Sequence, residues 1–102
     1  MAYDVRITTA AAHAIDKLSS GVQAALLARL DELADDPRPH DSEKLKAMPK
    51  PYKVYRVPLR TNESSFRIVY QVKDSELWLL VLKVADRKEV YERVSDLKRL
   101  LR

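Results

Sequence analysis

The chain has 102 residues, 46% hydrophobic and 33% charged, enough apolar material for one core and one domain spanning 1–102. With no cysteine and a single glycine, it can form neither a disulfide framework nor a phosphate-cradling glycine loop, and the missing cysteines suit a reducing cytosol. The start, MAYDVRITTAAAH, lacks a basic leader followed by an apolar run, and no stretch approaches the ~20 apolar residues of a membrane span. The expectation is a soluble cytoplasmic protein with no membrane association.

Tyr3, Val5 and Ile7 alternate, which predicts a short N-terminal strand. Ala11, Ala14, Ile15 and Leu18 then follow the i, i+3, i+4, i+7 spacing of a helix with one apolar stripe. Ser20 and Gln23 carry the capping-box spacing for a second helix, lined by Val22, Leu26, Leu30 and Leu33 and stopped by Pro37. Two helices with so short a connection predict a helical hairpin. Residues 37–51 hold four prolines and read as a loop, with a turn of helix expected between Lys44 and Met48.

Tyr52–Leu59, Phe66–Val72 and Leu77–Val84 read as three strands joined by short polar turns, an antiparallel meander. Val90, Val94, Leu97 and Leu101 return to helical spacing, so an amphipathic helix closes the chain, with Asp86 and Glu89 placed to cap it. The expected class is α+β: an N-terminal strand, a helical hairpin, a mostly antiparallel sheet and a C-terminal helix.

Charge is unevenly placed. Residues 1–42 carry four bases against seven acids, whereas residues 43–73 carry eight bases against two. Lys44, Lys46, Lys50, Arg56 and Arg60 lie in this basic zone. It is either a solvated face or a surface for phosphate or an acidic protein. The two histidines, His13 and His40, read as surface residues, and no metal or cofactor is expected.

Parity in FRIVYQV puts Phe66, Ile68, Tyr70 and Val72 on one face and Arg67, Val69 and Gln71 on the other. If the first set packs on the helices, Arg67 projects from the opposite face. Lys53, Tyr55 and Val57 share one face of the preceding strand, and Tyr52, Val54 and Arg56 the other. Arg87 falls just before the predicted last helix, where a helix N-terminus and a guanidinium would favour phosphate, and Tyr91 follows one turn on. The competing reading pairs Arg67 and Arg87 with Glu63 and Glu89.

KLKAMPKPYKVYRVPL, FRIVYQV and LWLLVLKVADRKEVY, followed by a terminal helix, resemble the RelE/ParE toxin superfamily over essentially the whole chain. The first two segments are closer to RelE than to ParE. The resemblance implies a microbial RNase-type fold and the toxin half of a toxin–antitoxin pair. It further implies an mRNA interferase that acts on the ribosome without metal, the message's own 2′-hydroxyl attacking the adjacent phosphate. By motif it implies catalytic roles for Lys53, Arg67, Arg87 and Tyr91. Pre-placed cations would favour the phosphorane over the ground state, and Tyr91 could stack under a base. The implied partners are a cognate antitoxin, the ribosome with its mRNA, and operator DNA bound by the toxin–antitoxin complex. Lys44, Lys46, Lys50, Arg56 and Arg60 are then candidate RNA contacts. The stripe Val90, Val94, Leu97 and Leu101 is either an antitoxin-docking surface or simply the seal of the core.

Three departures stand out. Tyr55 replaces the second lysine of the family's Y-K-x-K strand, the turn RTNESS is long, and Asp86 stands where relatives carry a base. A ParE-like toxin that binds DNA gyrase without RNase chemistry is the alternative, and an inactive repressor module is a third reading.

Overall fold

The computed structural model describes residues 2–46, 48, 51–62, 65–86 and 98–102. Its elements are β1 (Asp4–Ile7), α1 (Thr9–Asp16), α2 (Ser20–Asp35), β2 (Glu43–Lys44), β3 (Lys53–Arg60), β4 (Ser65–Lys73) and β5 (Trp78–Asp86). All five strands join one sheet in the order β1-β5-β4-β3-β2. The meander expected from the sequence is its centre, extended on both sides. The first strand lies parallel to β5, and β2 adds a two-residue edge along β3. That edge replaces the helical turn expected from Lys44, where two residues are too few to show alternation.

Thr8 caps α1 by accepting the amide of Ala11 at 3.1 Å, and Ser19 caps α2 by accepting that of Val22 at 3.3 Å. The second cap is thus one residue earlier than the capping-box spacing indicates. The Gln23 amide instead donates to the carbonyls of Ile15, at 2.8 Å, and Leu18, at 3.2 Å. The tight connection brings the Ile15 carbonyl at the end of α1 and the Leu18 carbonyl just beyond it within its reach. Among the described residues no helix is long and apolar enough to cross a membrane.

The helices cover one face of the sheet. Ala11, Leu26, Leu30 and Leu33 pack against Tyr55, Val57, Leu59, Ile68, Tyr70, Val72, Leu79, Val81 and Val84. Tyr70 is fully buried, and its hydroxyl donates to the Pro37 carbonyl at 2.6 Å, tying the end of α2 to the sheet. Burial raises its pKa.

The opposite face carries a second, smaller core: Val54, Val69, Trp78, Leu80 and Leu82, with Met48, Leu45, Leu100 and Leu101 against it. Gln71, only 2% exposed, holds the C-terminal residue there. Its side-chain amide donates to the carbonyl of Arg102 and accepts the Arg102 amide, both at 3.0 Å. The expectation of an open second face therefore fails where Leu100 and Leu101 cover apolar residues that water would otherwise meet. The rest of the terminal helix, with Val90, Val94 and Leu97, lies outside the described residues.

Pairing is continuous between β3 and β4, from Lys53 opposite Val72 to Arg60 opposite Ser65. It is broken once between β4 and β5: Val69 faces Lys83 while Tyr70 faces Val81, leaving Leu82 as an extra residue on β5. This is a β-bulge.

Candidate nucleic-acid interface

Cross-strand partners share a face, so the register sorts every charged side chain on the sheet. Arg67 lies between Pro58 on β3 and Ala85 on β5, on the face away from the helices, as its parity predicts. The next row on that face is Glu43, Arg56 and Val69, and the row on the other side is Arg60 and Ser65. Arg56, Pro58 and Arg60 therefore descend one side of β3 at intervals of about 7 Å. Pro58 fits there because β2 pairs with β3 only at Tyr55 and Arg56. Beyond them β3 is an edge, where a residue without an N–H breaks no ladder.

The guanidinium of Arg56 grips Glu43, Nη2 to Oε2 at 2.6 Å and Nε to the same oxygen at 3.1 Å. This hydrogen bond holds the Glu43 carboxyl below its usual range, and Arg67 adds to the effect from nearby. Sequence reasoning missed Glu43, since only pairing of β2 with β3 reveals where it points. Pro58, Arg60, Ser65, Phe66 and Arg67 line a shallow depression of about 190 Å³ on this surface. Three arginines and one carboxylate thus share the part of the face beyond the residues that Leu100 and Leu101 pack against.

Lys53 is not among them. It pairs with Val72 on the face that also carries Tyr55 and Val57, and Pro58 is five positions further along the strand, an odd offset that reverses the side. Its ammonium sits 3.3 Å from Asp74. Asp74 also accepts the Tyr3 hydroxyl at 2.7 Å and the Arg38 guanidinium at 2.6 Å. The Arg38 hydrogen bond, then that of Tyr3, holds the Asp74 carboxyl at about 2. Arg38 in turn donates to the Tyr55 hydroxyl at 2.9 Å and lies over its ring, and Tyr55 packs on Tyr70 with centroids 6.0 Å apart. The tyrosine that stands for a family lysine is therefore a core residue, 8% exposed. No bulge shifts the parity of β3, so Arg56, not Lys53, shares the face of Arg67.

Of the remaining candidates, Lys44 pairs with Tyr55 and points away from Glu43 and Arg56. Lys46 is exposed in the following turn, and Leu101 is half-buried against the second core. Lys50, Arg87 and Tyr91 lie outside the described residues. Asp86 pairs with Phe66, so its side chain faces away from Arg67. Among the described residues no group of three or more His, Asp or Glu is placed to hold a metal.

Residues 5–91 match the family described as ParE toxin of type II toxin–antitoxin system, parDE. The chain belongs to the RelE/ParE toxin superfamily. It is 36% identical over 87 residues to the mRNA interferase toxin RelE of Escherichia coli strain K12, covering 83% of each chain. Its fold superposes on a free-state mutant of E. coli toxin RelE with a TM-score of 0.75 at 31% identity, over 99% of this chain and 100% of that one. It superposes also on a chain of the intact E. coli RelBE toxin–antitoxin complex, with a TM-score of 0.67 at 29% identity, over 90% of this chain and 100% of that one.

Proposed function

We propose that this RelE/ParE-superfamily chain is the toxin of a type II pair and an mRNA endoribonuclease that works on the ribosome, in the cytoplasm, until a cognate antitoxin silences it. The observation that carries this reading is the strip of Arg56, Arg60 and Arg67 on the sheet face away from the helices, with Glu43 among them. Cations fixed on a folded sheet need no rearrangement when charge develops on a phosphate, which is where electrostatic catalysis gains most.

The reaction needs only the substrate's own atoms. The 2′-hydroxyl oxygen forms a bond to the adjacent phosphorus and its proton passes to a base. The bond from phosphorus to the 5′-oxygen then breaks, and that oxygen takes a proton from water. The products are a 2′,3′-cyclic phosphate and a free 5′-hydroxyl.

Arg67 binds the non-bridging oxygens as their charge grows, and Arg60 holds a neighbouring phosphate. Glu43 is the proton acceptor. Its low pKa keeps it ionised at neutral pH, and it is the carboxylate in the row of Arg56, next to Arg67. Arg87 and Tyr91 retain the roles their motif implies, phosphate binding and base stacking. Lys53 instead serves the Asp74 cluster on the helix side. The antitoxin would bind across the basic face and the terminal segment 90–101, and the pair would bind operator DNA.

The test is a translating extract in which mRNA 5′ ends are mapped. Codon-phased cuts that disappear with Arg67→Ala are expected. Intact mRNA together with gyrase trapped on DNA would replace this reading with the ParE-like one.

A further inference from the structure

The bulge in β5 changes where one lysine points. Trp78, Leu80 and Leu82 belong to the second core, and Leu79 and Val81 to the helix-facing one. Strict alternation would then place Lys83 with Leu79 and Val81, inside the helix-covered core, where an unpaired ammonium costs several kcal/mol. It would also turn Val84 outward. Because Leu82 is the extra residue, Lys83 instead pairs with Val69, and Val84 returns to the helix side opposite Ile68. One inserted residue thus brings Lys83 into the row of Glu43, Arg56 and Val69.

Lys83 is also the diagonal neighbour of Arg67, since Arg67 pairs with Ala85 two residues further on. Such diagonal positions lie about 7–8 Å apart, within reach of two long side chains addressing adjacent groups on one ligand. Bulges recur beside active sites for this purpose, re-aiming a side chain that alternation would bury. The bulge also has a local anchor: Thr8, which caps the first helix, donates its hydroxyl to the Leu82 carbonyl at 3.4 Å and its amide to the Val81 carbonyl at 3.1 Å.

We infer that Lys83, turned outward by the bulge at Leu82, is a substrate-binding cation of this face that contacts the RNA phosphate next to the one held by Arg67. The assignment rests on the endoribonuclease reading. Lys83 acts in binding and not in the proton transfer: it supplies a point charge beside the reacting phosphate.

The experiment is equilibrium binding of a 2′-O-methyl oligoribonucleotide, which cannot be cleaved, to the full chain and to Lys83→Gln and Lys83→Arg across a salt series. Thermal melts check that all three are equally folded. The full chain should show affinity falling with salt, and Lys83→Gln should reduce the slope of log affinity against log salt by about 0.7, the value for one phosphate contact on a single strand. Lys83→Arg should restore the slope, which a merely structural lysine would not require. If the full chain binds with a salt slope and Lys83→Gln leaves that slope unchanged, the inference falls and the endoribonuclease reading stands. If no variant binds the oligoribonucleotide, the inference falls, while the endoribonuclease reading, which places the reaction on the ribosome, is decided by the translating extract.

Discussion

Lys53 reaches Asp74 at 3.3 Å on the helix side of the sheet, and so lies across the β-layer from Arg67. Asp74 collects Tyr3 from the N-terminus, Arg38 from the loop after α2 and Lys53 from β3. It joins both ends of the helical hairpin to the turn between β4 and β5. The cluster is structural, and it makes stability depend on acid.

Since the folded carboxyl of Asp74 is held at about 2 against an ordinary 3.8, its contribution is complete above that ordinary value. It is lost as pH falls through the interval between the two, because the unfolded chain binds the proton first. Asp74→Asn should lower the Tm at neutral pH and flatten the fall of Tm over that interval. Thermal melts at stepwise lower pH measure both effects.

Glu43 gives a kinetic signature. A carboxylate already ionised at neutral pH predicts a cleavage rate that is level from about pH 6 to about pH 8, whereas a lysine base would make it climb. Glu43→Gln should slow cleavage by about 100-fold or more, the usual worth of a positioned base, with little change in KM. Single-turnover rates on programmed ribosomes at several pH values provide the check.

The core makes a contrasting pair of leucines on one helix. Leu33 is fully buried and Leu27 is 61% exposed. Leu33→Ala should destabilise by about 2–5 kcal/mol, and Leu27→Ala by no more than about 0.5 kcal/mol. Denaturant unfolding of the two variants gives the comparison.

Leu77 closes the β4–β5 turn with φ at +56°, a left-handed conformation that crowds its Cβ. Relief of that crowding exceeds the entropy glycine loses on folding. Leu77→Gly should therefore raise the Tm by a few degrees and Leu77→Val should lower it, read by calorimetry.

Much of this was legible in the residues. The stripe Val22, Leu26, Leu30 and Leu33 and the alternation of Phe66–Val72 each follow one strong period, and each forms the expected element. Arg67 was placed on the correct face for the same reason. The face of Lys53 was also readable: Tyr55, Val57 and Leu59 on its side are more apolar than Val54, Arg56 and Pro58. A motif match to the family's lysine strand pointed the other way, and packing decided. Two features had no local signal. The edge strand at Glu43 is too short to alternate, and the bulge at Leu82 sits inside a uniformly apolar run that hides any change of phase.

The two faces are best separated by the rate of mRNA cleavage on programmed ribosomes with Arg67→Ala and Lys53→Ala compared side by side. Loss of a group that meets the developing phosphate charge should cost about 100–1,000-fold, so Arg67→Ala should fall that far while Lys53→Ala stays within about threefold of the unaltered chain at a temperature where both are folded. An equal loss in both variants, or a larger one in Lys53→Ala, would contradict the placement of the reaction on the Arg67 face.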